Sequence, residues 1–177
     1  MRGTGKSSIG VVLAQCLGFA FVDTDTEIER VAGARVRDIV AEHGWDHFRA
    51  LEQEVVARCA AADMQVIAAG GGTLMDEANA AILKAQGIVV LLESELPVLQ
   101  KRISGQGNRP SLTGQDTAVG ELATVWETRR ERYYAVADLT YDVSAESSDP
   151  SHDVRQKAEA IHALLLNHLD GRVAETF

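Results

Sequence analysis

Gly3-Thr4-Gly5-Lys6-Ser7-Ser8 runs directly into Ile9-Gly10-Val11-Val12-Leu13-Ala14-Gln15 near the start of the chain. The stretch reads as the second half of G-x-x-x-x-G-K-[S/T], a phosphate-binding loop. Glycines let the backbone curl so that successive N–H groups point at one anion. The apolar-periodic segment that follows predicts a helix whose N-terminus, with its unpaired donors and partial positive charge, faces the same phosphates. Lys6 would reach the β- and γ-phosphates as a mobile point charge, and Ser7 would place a hydroxyl on Mg²⁺. Counted back from Lys6, the loop's first glycine falls one position before Met1, and the apolar strand that should lead into the loop is missing with it.

Outward from the loop the pattern alternates. A helix face at 9, 12, 13, 16 and 17 closes at Gly18, and Phe19-Ala20-Phe21-Val22 reads as a buried strand ending at Asp23-Thr24-Asp25. Helices are expected over 26–31, 36–42 and 45–62, with Gly44 breaking the last two apart. A second strand over 65–69 runs into Gly70-Gly71-Gly72-Thr73, and a continuous apolar strand occupies 88–92. Helices are expected over 77–84, 96–103, 118–137 and 152–169, a last strand over 139–143, and frayed residues from 170 to 177. Residues 104–117, glycine-rich and nearly without apolar side chains, read as a mobile surface lid. Strands alternating with helices and ending in polar or glycine-rich turns give a doubly wound α/β fold in one domain, 1–177, with the ligand across the carboxyl ends of the strands.

Bulk properties narrow the function. A formal net charge of −9 with no compensating basic tract argues against broad nucleic-acid binding, so phosphate must be met by a few placed cations. No apolar run approaches a membrane span and no signal-peptide core is present, so the cytoplasm is expected. Cys16 and Cys59 lack metal-type spacing and read as buried small apolar residues in a reducing compartment. His43 and His47 have the spacing of a helical metal site, but Gly44 interrupts the helix between them.

The chemistry gathers at the strand ends. Asp23 and Asp25 can either cap a turn and helix or face a metal and a substrate hydroxyl. Arg49 and Glu52, three apart on a helix, form either a surface ion pair or a braced arginine that meets a small carboxylate. The triple glycine after a strand lets backbone approach a ligand. Arg109 falls in the expected lid, and Arg129 begins Arg129-Arg130-Glu131-Arg132-Tyr133.

G-x-G-K-S, the strand-end Asp-Thr-Asp, Phe48-Arg49-x-x-Glu52, the triple glycine, Asn108-Arg109-Pro110 and the R-x-x-x-Y helix, in this order from residue 3 to about 143, resemble the shikimate kinases. The resemblance implies a three-layer α/β/α phosphate-loop fold with a parallel sheet and a mobile lid, like that of the nucleoside monophosphate kinases. It implies transfer of the γ-phosphoryl group of ATP to the 3-hydroxyl of shikimate with Mg²⁺, by a monomer. Carried over by position, Gly3, Thr4, Gly5, Lys6, Ser7 and Ser8 cradle the phosphates, and Ser7 and Asp23 hold Mg²⁺. Asp25 binds the substrate hydroxyls and takes the proton, Arg49 and Arg129 clamp the carboxylate, and Gly71 and Gly72 line the ring. Arg109 reaches the transferring phosphate, while Arg102 and Pro150 flank the adenine. In this family the strand before the loop lies mid-sheet, so the natural chain is expected to begin a few to a dozen residues upstream of Met1. Two other readings remain: another small-metabolite kinase such as a gluconate kinase, and a truncated, non-catalytic nucleotide-binding protein.

Overall fold

A computed structural model describes residues 1–104 and 120–174. Helix α1 (Lys6–Leu17) leads to strand β1 (Ala20–Asp23), then α2 (Thr24–Ala32) and α3 (Val36–Ala60). Strand β2 (Gln65–Ala68), a single 3₁₀ turn over Thr73–Met75 and α4 (Glu77–Gln86) follow. The chain continues through β3 (Val90–Glu93), α5 (Leu96–Ser104), α6 (Glu121–Val136), β4 (Leu139–Asp142) and α7 (Pro150–Ala174).

The apolar runs form strands because helices cover both of their faces. Neighbouring residues of a strand point to opposite sides. Leu91 packs with Leu99, Ile103, Leu122 and Val125 of α5 and α6. Leu92, one residue on, packs with Ile9 and Leu13 of α1 and with Ala158 and Ile161 of α7. In β2, Val66 faces the α1/α7 side, while Ile67 joins Ile28, Ile39 and Phe48 of α2 and α3 on the other. This is the expected three-layer α/β/α arrangement. On α1, Gly10 carries no side chain because a Cβ there would lie 2.7 Å from the Phe21 ring of β1.

The strands do not form one continuous sheet among the described residues. Strands β1 and β2 pair in parallel, with Ala20 opposite Gln65 and Asp23 opposite Ala68. Strands β3 and β4 form a second parallel pair, with Val90 opposite Leu139 and Glu93 opposite Asp142. Between the pairs lies a largely apolar cavity of about 490 Å³, lined by Val66, Ile67 and Ala68 from β2 and by Val90, Leu91 and Leu92 from β3. The parallel strands expected from the sequence are therefore present as two pairs flanking a slot.

Local boundaries differ where capping decides them. Helix α2 begins two residues early because the Asp23 carboxylate accepts the N–H groups of Asp25 and Thr26 as its N-cap. Asp25 thus sits in the first turn of a helix rather than on a strand end. Gly44, at φ 81° and ψ 175°, breaks α3 where the sequence places a break. Helix α7 starts with Pro150 at its first position, where a missing N–H costs nothing, and it continues to Ala174 instead of fraying at 170. No helix among the described residues is long and apolar enough to cross a membrane.

Candidate active site

A cavity of about 390 Å³ opens at the carboxyl ends of β1 and β2. Lys6, Ser7 and Asp23 form one part of its wall and Arg49 and Arg129 another, with Asp25, Gly71 and Gly72 also in the lining.

On the first wall the loop takes the conformation its glycines permit: Gly3 and Gly5 have φ of 79° and 82°. Gly5 caps α1, so the loop ends on a helix N-terminus. The Lys6 ammonium donates to the Met1 carbonyl at 2.7 Å, and the Thr4 hydroxyl donates to the same carbonyl at 3.2 Å. Thr4 is thereby buried as a brace of the loop, and does not line the cavity. Ser8 lies exposed in the first turn of α1, also outside the cavity lining. The Ser7 hydroxyl donates to Asp23 Oδ2 at 2.5 Å, while Asp23 Oδ1 caps α2. A hydroxyl and a carboxylate at contact distance are hard oxygen donors of the kind Mg²⁺ takes, so this pair fits the metal implied by the sequence. Among the described residues no group of three or more His, Cys, Asp or Glu forms a separate metal site.

The second part of the wall is built to fix guanidinium groups. Arg49 Nη1 donates to Glu52 Oε2 across one helical turn, and Glu52 is only 1% exposed. The Arg49 guanidinium also lies 5.5 Å from the Trp45 ring centroid and 5.2 Å from that of Phe48. The sequence left an idle surface ion pair open as a reading of Arg49 and Glu52; burial of Glu52 removes it. Arg129 Nη1 donates to the Gly71 carbonyl at 2.9 Å, and the Tyr133 hydroxyl donates to the same oxygen at 2.5 Å. Burial raises the Tyr133 phenol above its ordinary value, against the lowering influence of Arg129, so it stays a donor at neutral pH.

The triple glycine is where these groups come close together. A Cβ on Gly70 would lie 2.6 Å from Asp25 Oδ1, and one on Gly72 would lie 2.6 Å from Arg49 Nη2. Only backbone leaves room for both side chains.

Arg102 lies away from the cavity lining, donating to Glu146 Oε1 at 3.1 Å, to the Val143 carbonyl at 3.0 Å and to the Gly3 carbonyl at 3.4 Å. It ties the loop to the end of β4. Pro150 opens α7 and is likewise not part of the cavity lining. Arg109, with the expected lid over 104–117 apart from Ser104, falls outside the described residues. Three residues matter more than their sequence context suggested. Thr24, fully buried between the two aspartates, accepts the Gly70 N–H at 2.9 Å. Thr73, also fully buried, donates to Glu52 Oε1 at 2.8 Å. Tyr133 holds the glycine loop. A hydroxyl residue directly beside each candidate cluster was the available signal for the two threonines.

The family model for shikimate kinase matches residues 2–165. The shikimate kinase of Synechococcus elongatus is 38% identical over 175 residues, which cover 99% of this chain and 90% of that protein. The shikimate kinase of Symbiobacterium thermophilum is 44% identical over 141 residues, 78% of this chain and 80% of its own. Among solved structures, the shikimate kinase from Acinetobacter baumannii in complex with shikimate matches with a TM-score of 0.82 at 32% identity, covering 94% of this chain and 89% of that one.

Proposed function

Because the chain belongs to the shikimate kinase family of phosphotransferases, we propose that its cavity transfers the γ-phosphoryl group of ATP to the 3-hydroxyl of shikimate. The observation that carries the reading is the lining of one cavity, which brings together the phosphate-loop residues Lys6 and Ser7, the braced arginines Arg49 and Arg129, and Asp25. A small polyhydroxylated acid offers one carboxylate for arginines and several hydroxyls for an aspartate, and the cavity presents both.

In this reading the backbone N–H groups of Gly3 to Ser8 and the start of α1 hold the phosphates, and Lys6 leaves the Met1 carbonyl to meet them. Ser7 and Asp23 would hold Mg²⁺, which supplies charge neutralisation at the phosphates when bound. Arg49 and Arg129 take the shikimate carboxylate, with Gly71 and Gly72 along the ring. Asp25 orients the 3-hydroxyl and accepts its proton as the oxygen attacks phosphorus. Phosphoryl transfer asks mainly for positioning and charge stabilisation, which is what these walls provide. Arg109 is assigned to the transferring phosphate, and Arg102 and Pro150 to the adenine, on sequence position. The proposal keeps the monomer that the family resemblance implies, and a reaction that consumes ATP supports the cytoplasm.

The test is a coupled ADP-release assay with ATP, Mg²⁺ and either shikimate or gluconate. Turnover with shikimate is expected, with Asp25→Asn lowering kcat by about 10²- to 10⁴-fold, the range for loss of a positioned proton acceptor. Turnover with gluconate and none with shikimate would overturn the assignment.

A further inference from the structure

Behind Arg49 stands a buried relay that the proposed reaction does not itself use. Glu52 is 1% exposed and Thr73 is fully buried. The carboxylate is held at both oxygens: Arg49 Nη1 donates to Oε2, and the Thr73 hydroxyl donates to Oε1 at 2.8 Å. Thr73 is itself fixed, since its N–H donates to the Gly70 carbonyl at 3.1 Å and it opens the 3₁₀ turn that ends the glycine loop. Gly70 makes room for this hydroxyl, because a Cβ there would lie 3.0 Å from Thr73 Oγ1.

A carboxylate bound at one oxygen can pivot about that bond, and a guanidinium paired with it moves along. Bound at both oxygens, it cannot. So deep an ion pair contributes little net stability, because desolvation offsets the attraction. What it supplies is direction: the Arg49 fork faces the cavity in one orientation, a gain for bidentate recognition of a planar carboxylate.

We infer that Thr73 is a positioning residue for recognition of the acid substrate, acting through Glu52 on Arg49. The inference rests on the reading that Arg49 receives the shikimate carboxylate. The hydrogen bonds of Thr73 run to Glu52 and to the Gly70 carbonyl, so its effect belongs to the acid substrate and not to the nucleotide.

The experiment compares wild type with Thr73→Val, Thr73→Ala and Thr73→Ser in the ADP-release assay, varying shikimate and ATP separately. It also measures shikimate affinity through tryptophan fluorescence, since Trp45 adjoins the Arg49 guanidinium. Valine and alanine both raise the KM and dissociation constant for shikimate by about fivefold, the size of one net hydrogen bond, with kcat and the KM for ATP within twofold of wild type. Serine, which keeps the hydroxyl, restores both values. Unchanged shikimate affinity in valine and alanine overturns the inference. So does a defect confined to valine, which would be a packing effect, or one that lowers kcat and raises the KM for ATP in step. Failure of wild type to phosphorylate shikimate would instead overturn the functional reading, so the two outcomes stay separate.

Discussion

Adding one methyl group at Gly72 tests the substrate wall directly. Gly72 has φ −106° and ψ −11°, a backbone conformation open to alanine, so Gly72→Ala introduces no backbone strain. Its Cβ would lie 2.6 Å from Arg49 Nη2, 2.8 Å from Nη1 and 3.0 Å from Cζ. Ordinary contact begins near 3.5 Å, so the guanidinium must retreat by about 0.5–1 Å. It has poor options. Glu52 is buried and held from behind by Thr73, and the Trp45 and Phe48 rings flank the guanidinium. Retreat therefore breaks the geometry toward the carboxylate of the substrate. Loss of one charge-assisted hydrogen bond, about 1.5–3 kcal/mol, corresponds to a rise of roughly 10- to 150-fold in the KM for shikimate. The KM for ATP and the kcat at saturation change little, because the lost contact is made in ground and transition states alike. The assay is ADP release at varied shikimate, run also on an Arg49→Ala background. There the added methyl group has nothing to displace, and the two changes are non-additive. A shikimate KM within twofold of wild type, or full additivity with Arg49→Ala, would refute the reasoning.

Two further outcomes follow from features outside the cavity walls. Asp76 caps α4, accepting the Asn79 N–H at 2.9 Å and the Gln53 side-chain amide at 2.8 Å; those two bonds hold its carboxyl below the usual value. Asp76→Ala costs about 1 kcal/mol, or a Tm lower by about 2–4 °C. Because the folded pKa is depressed, the Tm difference is full above the ordinary value of 3.8 and closes as the pH falls through the folded pKa; a gap that widens in acid would contradict the cap. The slot between β2 and β3 responds to an apolar, strand-forming extension ahead of Met1: it raises Tm and slows amide exchange at Val66–Ala68 and Val90–Leu92. A lysine- and glutamate-rich extension of equal length does neither, and equal effects from both would remove the slot as a strand site.

What the sequence made legible was whatever lies within one local period. Buried parallel strands read as short apolar runs, and Arg49 and Glu52 are three apart on one helix, so their pairing needed no knowledge of the fold. The Gly44 break was legible for the same reason, since a glycine inside an apolar helical period marks an interruption. The division of the strands into two pairs was legible only through the family resemblance, which puts the strand before the loop mid-sheet, because no local period encodes pairing. The roles of the buried threonines were not legible. Thr24 meets Gly70 across 46 positions and Thr73 meets Glu52 across 21. A threonine beside a turn looks the same whether it faces water or braces a carboxylate. Asp23 showed its double capacity in sequence, but the sequence offered capping and ligation as alternatives. The structure has one oxygen capping α2 and the other accepting from Ser7, so the cap occupies one oxygen and leaves the other on the phosphate-loop side.

That division of Asp23 shows how the two walls are kept in register. The phosphate wall is tied together by Ser7, Asp23 and the start of α2. The acid wall is tied by Glu52 and Thr73 behind Arg49, and by Tyr133 and Arg129 on the Gly71 carbonyl. The networks meet at the residue between the two aspartates. Thr24 is fully buried, and its hydroxyl accepts the Gly70 N–H at 2.9 Å, fastening the end of β1 to the glycine loop. Gly70 is also the position whose missing Cβ admits the Asp25 carboxylate. Asp25 is thus seated against the glycine loop through one buried hydroxyl and one absent side chain. In-line transfer needs the acceptor hydroxyl placed to within a fraction of an ångström. In the proposed reaction the Asp-Thr-Asp segment therefore acts as a unit: the outer aspartates are assigned to the metal and the substrate, and the threonine between them fastens the segment to the glycine loop.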